Sequence, residues 1–267
     1  MDSTLLRSDS LYEGLLVMVG TNLYNIRKLL ASRSIMTIKN LLVPYIEKII
    51  KNIPINERVL DYLKDARSQG RTLVLVTASP LAIAQACAGR VGIFDDVYGS
   101  STAENLRGPA KAEFLCKKYG EHRFDYIGNS LDDIPVWECA KTAIIASNNK
   151  QVIEAARKAN KNIIIIPIKR PHVIDYIKAL RINQYIKNIL VFVPLLLAHS
   201  FSGFTFINCL LAFISLSLSA SSIYIINDLV DIDNDRHHPQ KKNRPFASAS
   251  IPLAQAPLLF FTCTLLS

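Results

Sequence analysis

Residues Asn227 to Pro245 read N-D-L-V-D-I-D-N-D-R-H-H-P-Q-K-K-N-R-P. This polar stretch follows a charge-free run from Asn188 to Asn227 and precedes a third apolar segment, Leu253–Ser267. Asp228, Asp231 and Asp235 stand three and four positions apart. On a helix continued from the preceding run, those spacings stack all three carboxylates on one face. Stacked like charges repel, and a hard divalent cation with oxygen ligands offsets that repulsion. Mg²⁺ shared with substrate phosphates suits the pattern, with Asn227 as a neutral oxygen ligand. Arg236, Lys241, Lys242 and Arg244 follow and suit phosphate oxygens. Acids for a metal and bases for phosphates, at the mouth of a membrane helix, point to a lipid phosphate or diphosphate.

Two plainer readings stand beside this one. A basic loop between membrane helices is usually solvated and marks only the cytoplasmic side. Adjacent His237 and His238, without sequence partners, are more often surface residues than metal ligands. A calcium loop built on Asp231, Asp233 and Asp235 fails, because Arg236 occupies the sharp-turn glycine position and no glutamate closes it.

The chain carries a net charge of +9 and half of its residues are hydrophobic. Those averages hide two unlike parts, since nearly all charge lies before Leu190 or in the Arg236–Arg244 loop. The basic balance therefore reads as attraction to an anionic membrane surface. No nucleic-acid-binding motif is present, which argues against a nucleic-acid partner. The five cysteines are scattered and never form C-x-x-C, which argues for reduced thiols and against a zinc site.

The first part, residues 1–169, alternates helical and strand patterns and predicts an α/β sheet. Ser10–Lys51 is helical in period. Thr72–Val76 is a buried-strand run ending at Thr77, and Phe124–Ile127 is another ending at Gly128 and Asn129. Ala110–Tyr119 reads as a helix, and Thr142–Ala146 and Ile163–Ile168 have strand length. In parallel sheets ligands bind at the carboxyl ends of strands, so Thr77, Lys111, Asn129 and Asp133 are candidate site residues. Taken singly, Thr77 as a helix cap and Lys111 as a surface charge are the simpler readings.

Pro167 and Pro171 mark a junction, and residues 170–183 form an amphipathic juxtamembrane linker. Lys178 and Arg181 are placed there to meet lipid head groups. Residues 184–267 form the membrane part. Two membrane helices are expected, Tyr185–Ala198 extended toward Phe201, and Phe206–Ile226. By the positive-inside rule the basic segments on either side lie in the cytoplasm and the His199–Thr205 turn lies outside.

N-D-x-x-D-x-x-x-D at Asn227, Asp228, Asp231 and Asp235 resembles the first aspartate-rich motif of the UbiA superfamily of intramembrane prenyltransferases. D-R-H-H-P-Q-K-K-N-R-P resembles the bacterial members that act on polyprenyl phosphate, as does the block Leu180–Leu196 upstream. The resemblance implies Mg²⁺ at the acidic residues, with Arg244, Lys242 and, at the membrane entry, Lys187 on substrate phosphates. It implies a multi-pass protein of the cell inner membrane with its N-terminal domain in the cytoplasm. Further family helices and a second acidic motif are expected beyond Ser267.

The first part resembles the haloacid dehalogenase superfamily, so the expected fold class is an α/β haloacid dehalogenase-like, Rossmann-like domain followed by an all-α transmembrane segment. Asp2 and Thr4 match the end of the first motif, D-x-D-x-T. Thr77 matches the second motif, Lys111 the third, and Gly128-Asn129 through Asp133 the metal-binding fourth. The resemblance implies catalytic roles for Asp2, Thr4, Thr77 and Lys111, and metal ligation by Asn129 and Asp133. The family's nucleophile would precede Asp2 by two residues, the first core strand would precede it too, and Asn129 replaces the usual acid. A piece of a larger fusion is therefore expected. The leading expectation is an Mg²⁺-dependent transferase on a polyprenyl phosphate or diphosphate in a lipid membrane. A membrane-anchored phosphatase and an inactive fragment are the alternatives.

Overall fold

The computed structural model describes residues 1–21, 27, 35–101, 105–199 and 202–267. The chain divides into two compact units, Met1–Lys169 and Arg170–Ser267.

In the first unit, strand β1 (Val74–Pro80) pairs in parallel with β2 (Asp96–Ser100), and β3 (Asp125–Gly128) pairs in parallel with β4 (Thr142–Ile145), which pairs with β5 (Ile163–Ile165). Parallel neighbours need crossovers. Helix Leu81–Val91 supplies one between β1 and β2, and helix Lys150–Ala159 supplies one between β4 and β5. The first of these stops at Gly92, whose φ of 71° is left-handed and lets its N–H reach the Ala88 carbonyl. The main core gathers Leu6, Ile46, Ile50, Ile53, Ile83, Cys87 and Ile144. A second cluster surrounds Trp137, and a third joins Ala112 and Leu115 of helix Pro109–Tyr119 to Val136.

The strands expected at Thr72–Val76, Phe124–Ile127, Thr142–Ala146 and Ile163–Ile168 are present with slightly shifted ends. The helical stretch expected over Ser10–Lys51 is present as Ser10–Thr21 and Ile35–Ile49, and residues 22–26 and 28–34 of it lie outside the described residues. Two features differ from expectation. Strand β2 has the sequence D-V-Y-G-S, too short and too polar at its ends to stand out. The strands also form two sheets, β1-β2 and β3-β4-β5, instead of one.

In the second unit, helix Val173–Ala179 ends at Arg181, which adopts a left-handed φ of 53°. A 3₁₀ stretch, Ile182–Phe192, then runs into the short helix Val193–Leu197. Helix Gly203–Val230 follows, capped by the Ser202 hydroxyl accepting from the Thr205 N–H at 3.2 Å. It is the one described helix long and apolar enough to cross a membrane. The first expected membrane helix is instead a broken element. Val173–Ala179 and Ile182–Leu197 together have the length and composition of a span but are bent by 51°. Arg181, with its left-handed φ of 53°, lies at that break.

Serines hold these elements together. Asn188 donates to Ser217 Oγ at 3.0 Å, Tyr185 and Ser221 hydroxyls lie 2.8 Å apart, and Ser221 donates to the Leu180 carbonyl at 2.6 Å. Small hydroxyl residues let helices approach closely where no water can satisfy polar groups. Phe204, Leu211, Ile223 and Leu265 face outward, as side chains do when the surrounding solvent is lipid.

Candidate functional site

The long helix ends at Asp231, and a new short helix, Ile232–His237, begins there. The break decides where the acidic residues go. Asp228 and Asp235 are each only 2% exposed. Arg244 Nη1 lies 2.7 Å from Asp235 Oδ2 and 3.2 Å from Asp228 Oδ1. Arg181 forms a second ion pair with the same Asp228 oxygen, so two carboxylates are balanced by two guanidinium groups. Arg181 also stacks 4.6 Å from the Tyr224 ring centroid.

Asp231 and Asn227 are exposed, as are Lys242 and Lys187. The continuous helix with three carboxylates on one face does not form. Two of the three converge, and Asp231 points to the surroundings. Like charges at helical spacing destabilise an unbroken helix, and interrupting it at Asp231 relieves that repulsion. Arg181 turns back onto Asp228 instead of reaching for a head group. Arg236 braces the loop by donating from Nε to the Ala247 carbonyl at 3.0 Å.

Among the described residues, no three His, Cys, Asp or Glu side chains gather to hold a metal. Asp228 and Asp235 nonetheless place two carboxylate oxygens around one cationic atom, Arg244 Nη1. Mg²⁺ is commonly held by one or two carboxylates with substrate phosphates and water completing the shell, so this pair fits it.

The first unit builds a second polar site at its strand ends. Asp133, buried after β3, accepts from the Asn129 N–H at 3.0 Å, the Ser130 N–H at 3.2 Å and the Tyr126 hydroxyl at 2.9 Å. Lys111 pairs with its other side at 3.4 Å and donates to the Tyr126 hydroxyl at 2.8 Å. Burial pushes the Asp133 carboxyl up, but the Lys111 ammonium and these donors outweigh it and hold the carboxyl below the usual range. Tyr126 is pushed well above the ordinary phenol value by burial and by the neighbouring Asp133 charge.

At β1, the Thr77 hydroxyl accepts from the Ser79 N–H at 3.1 Å. The Ser79 hydroxyl donates to Asp2 Oδ2 at 2.7 Å, and the Ser10 N–H reaches Asp2 Oδ1 at 3.0 Å. Thr4 is buried, and its hydroxyl lies 3.4 Å from the Asp2 carbonyl. Asp2, Asp9, Lys39 and Ser79 border a pocket of about 70 Å³. Burial first, and then the Asp2 charge, raise the Asp9 carboxyl.

The sequence pointed to Lys111 and Asp133 but missed Tyr126, which lies between them. It also missed Ser79 and the Arg181–Asp228 pair. A hydroxyl two positions after Thr77 was the available signal for Ser79; nothing local marks Arg181, which meets an acid 47 positions away.

Strand-end polar groups on parallel strands linked by helices fit a haloacid dehalogenase-like domain. Residues 1–138, more than half the chain, match the family model for haloacid dehalogenase-like hydrolases, and the chain belongs to that family. Residues 188–267 match the UbiA prenyltransferase family model. A Sinorhizobium fredii protein named uncharacterized protein y4nM is 32% identical over 94% of this chain and 49% of its own length. Decaprenyl-phosphate phosphoribosyltransferase of Corynebacterium glutamicum is 41% identical over 30% of this chain and 25% of its own. Nodulation protein NoeC of Azorhizobium caulinodans is 41% identical over 28% of this chain and 25% of its own. The chain thus spans about half the length of the first relative and about a quarter of the other two. No solved structure matches.

Proposed function

We propose that the second unit is the phosphate-handling part of an Mg²⁺-dependent intramembrane transferase acting on a polyprenyl phosphate or diphosphate. The observation that carries this reading is the convergence of Asp228 and Asp235 on Arg244 at the end of the candidate membrane span. Ionisable side chains beside a membrane helix are costly and usually functional. The UbiA match over residues 188–267 and the phosphoribosyltransferase relatives support the substrate class.

Asp228 and Asp235 would hold the metal, and exposed Asp231 and Asn227 lie beside them in sequence to complete its ligands or orient bound water. Bound Mg²⁺ supplies charge neutralisation for phosphate oxygens and stabilises a leaving diphosphate. Arg244 would move from the carboxylates to the substrate phosphate, where its planar fork suits two oxygens at once. Lys242 adds charge from the same loop, and Lys187 is the weaker candidate at the membrane entry. The isoprenoid tail would lie along the apolar helix faces, each buried methylene contributing about 0.8 kcal/mol.

Lys169, Arg170 and Lys178 on one side, and Lys241, Lys242 and Arg244 on the other, support a reading in which both basic segments lie in the cytoplasm of an inner-membrane protein. The first unit is read as a companion phosphatase-type domain. In it Lys111 and Thr77 face phosphate, Asp2 and Thr4 support them, and Asn129 and Asp133 lie where a metal would bind. Asp133 is already saturated by protein donors, so positioning Lys111 is its better-supported role.

The test is transfer from a polyprenyl phosphate donor in membranes carrying the protein, with and without Mg²⁺. Asp228→Asn and Asp235→Asn should each abolish it without preventing insertion. Transfer that survives both substitutions and chelation would leave Asn227–Pro245 a solvated loop. Hydrolysis of a phosphomonoester lost with Lys111→Ala, and no transfer, would favour the anchored phosphatase.

A further inference from the structure

Helix Pro109–Tyr119 and the short helix Ile134–Cys139 pack together around Ala112, Leu115 and Val136. Each brings a cysteine to the seam, Cys116 from the last turn of the first and Cys139 from the end of the second. They meet although β3 and the Asn129–Asp133 loop lie between them in sequence. The turn Gly120–His122 ties both backbones. The Gly120 N–H donates to the Cys116 carbonyl at 2.9 Å, and the His122 N–H donates to the Cys139 carbonyl at 2.8 Å. The side chains meet as well, because the Cys116 thiol is a hydrogen-bond partner of the Cys139 thiol. Cys139 also donates toward the carbonyls of Pro135 at 3.5 Å and Val136 at 3.4 Å.

The two sulfurs differ in what they meet. Cys139 is buried and Cys116 is half-buried. Burial first, and then the Cys116 thiol, push the Cys139 thiol up to about 12. The thiolate is the reactive form, so Cys139 rests as an inert, protonated thiol. Cys116, nearer the solvent, is the sulfur that an oxidant reaches first. A sulfenic acid formed there would stand against a second thiol, and such neighbours condense to a disulfide. A sulfur without that neighbour goes on to the irreversible sulfinic acid.

We propose that Cys116 and Cys139 form a peroxide-sensitive modification site that closes to a reversible disulfide. The Cys116 sulfur attacks one oxygen of hydrogen peroxide, the O–O bond breaks, and the leaving hydroxide takes up the proton shed by that thiol as water. The Cys139 sulfur then attacks the Cys116 sulfur, the S–OH bond breaks, and the leaving hydroxide takes the Cys139 proton as a second water. The two thiols lose two electrons in all, and one peroxide becomes two waters. A dithiol reductant reverses the bond by exchange. The disulfide would fasten the helix that carries Lys111 to the helix that follows Asp133. Tyr126 and the Asn129–Asp133 loop would then lie inside one covalent ring, which restricts the unfolded chain and so stabilises the folded one. The inference rests on neither the transfer nor the phosphatase reading.

The experiment exposes the full chain, folded in detergent micelles, to hydrogen peroxide and then alkylates the remaining thiols with iodoacetamide. Peptides released without reductant are mapped by mass spectrometry. The expected product joins the Cys116 peptide to the Cys139 peptide with two hydrogens lost, and dithiothreitol returns both thiols. The oxidised protein should also unfold at a higher temperature than the reduced one. Cys116→Ser, at the half-buried position, should show neither the link nor the rise, and the wild-type peptide map stands without any variant. Cys116 carried to sulfinic acid while Cys139 is still alkylated would overturn the proposal. So would preferential linkage to Cys87, Cys209 or Cys263, or a link that appears only once the protein is denatured. A link that leaves the unfolding temperature unchanged would overturn the fastening of the Lys111 helix.

Discussion

Half-buried Arg244 and buried Asp235 form an ion pair nine positions apart, with Nη1 2.7 Å from Oδ2. The same nitrogen reaches Asp228, so one arginine ties the end of helix Gly203–Val230 to the loop after it. Removing one partner of such a pair leaves a buried charge uncompensated, at a cost of roughly 3 kcal/mol. Arg244→Ala should therefore lower the unfolding midpoint of the second unit in detergent. Arg244→Lys should recover part of the loss, because it keeps the charge but not the fork. Equal stability of all three proteins would show that Asp228 and Asp235 are balanced elsewhere.

Asp133 gives the first unit a definite acid dependence. Its folded carboxyl titrates below the ordinary value of 3.8. The native state therefore binds fewer protons than the unfolded chain, and stability rises with pH across that window. The contribution is fully present above 3.8 and is lost as pH falls through the lower folded value. Denaturant unfolding followed from pH 6 to about pH 2 should show this loss. Asp133→Asn should flatten the slope and be less stable at pH 6. An unchanged slope would mean that other carboxylates carry the acid transition.

What the sequence revealed depended on distance along the chain. Spacing and charge drew Asp228, Asp235 and Arg244 together as candidates, and the structure brings these three into contact within one loop and its flanks. The Arg181–Asp228 pair depends on a left-handed residue and on two elements packing, so no local pattern shows it. Asp231 was misplaced because a continued helix was assumed where no glycine or proline signals a stop. The strands were visible from apolar runs. The split between two sheets was not, since pairing is a long-range property. Tyr126 looked like one more apolar strand residue until its hydroxyl was placed between Lys111 and Asp133.

Gly128 is required by its neighbour. A Cβ there would lie 2.7 Å from the Asp133 carboxyl carbon and 2.7 Å from Oδ2. The Asp133 side chain cannot yield without losing its bonds to Asn129, Ser130 and Tyr126. Gly128→Ala should destabilise the first unit by about 1–3 kcal/mol, the usual range for overpacking. It should also flatten the acid dependence, because displaced Asp133 loses the contacts that depress its titration. Thermal scans at two pH values would separate the steric loss from the electrostatic one.

Asp231 allows effects on function to be separated from effects on folding within a single motif. It is exposed, whereas Asp228 and Asp235 are buried on arginines. Surface substitutions away from special contacts usually change stability by less than about 0.5 kcal/mol. Asp231→Asn should accordingly unfold at nearly the wild-type midpoint, while Asp228→Asn strips the shared partner from Arg181 and Arg244 and unfolds earlier. Transfer activity should order differently. If Asp231 serves substrate or metal from its exposed position, Asp231→Asn should lose at least a hundredfold in turnover with stability intact. Loss of activity only in step with loss of stability, across all three aspartates, would make the motif a structural brace and remove Asp231 from the site.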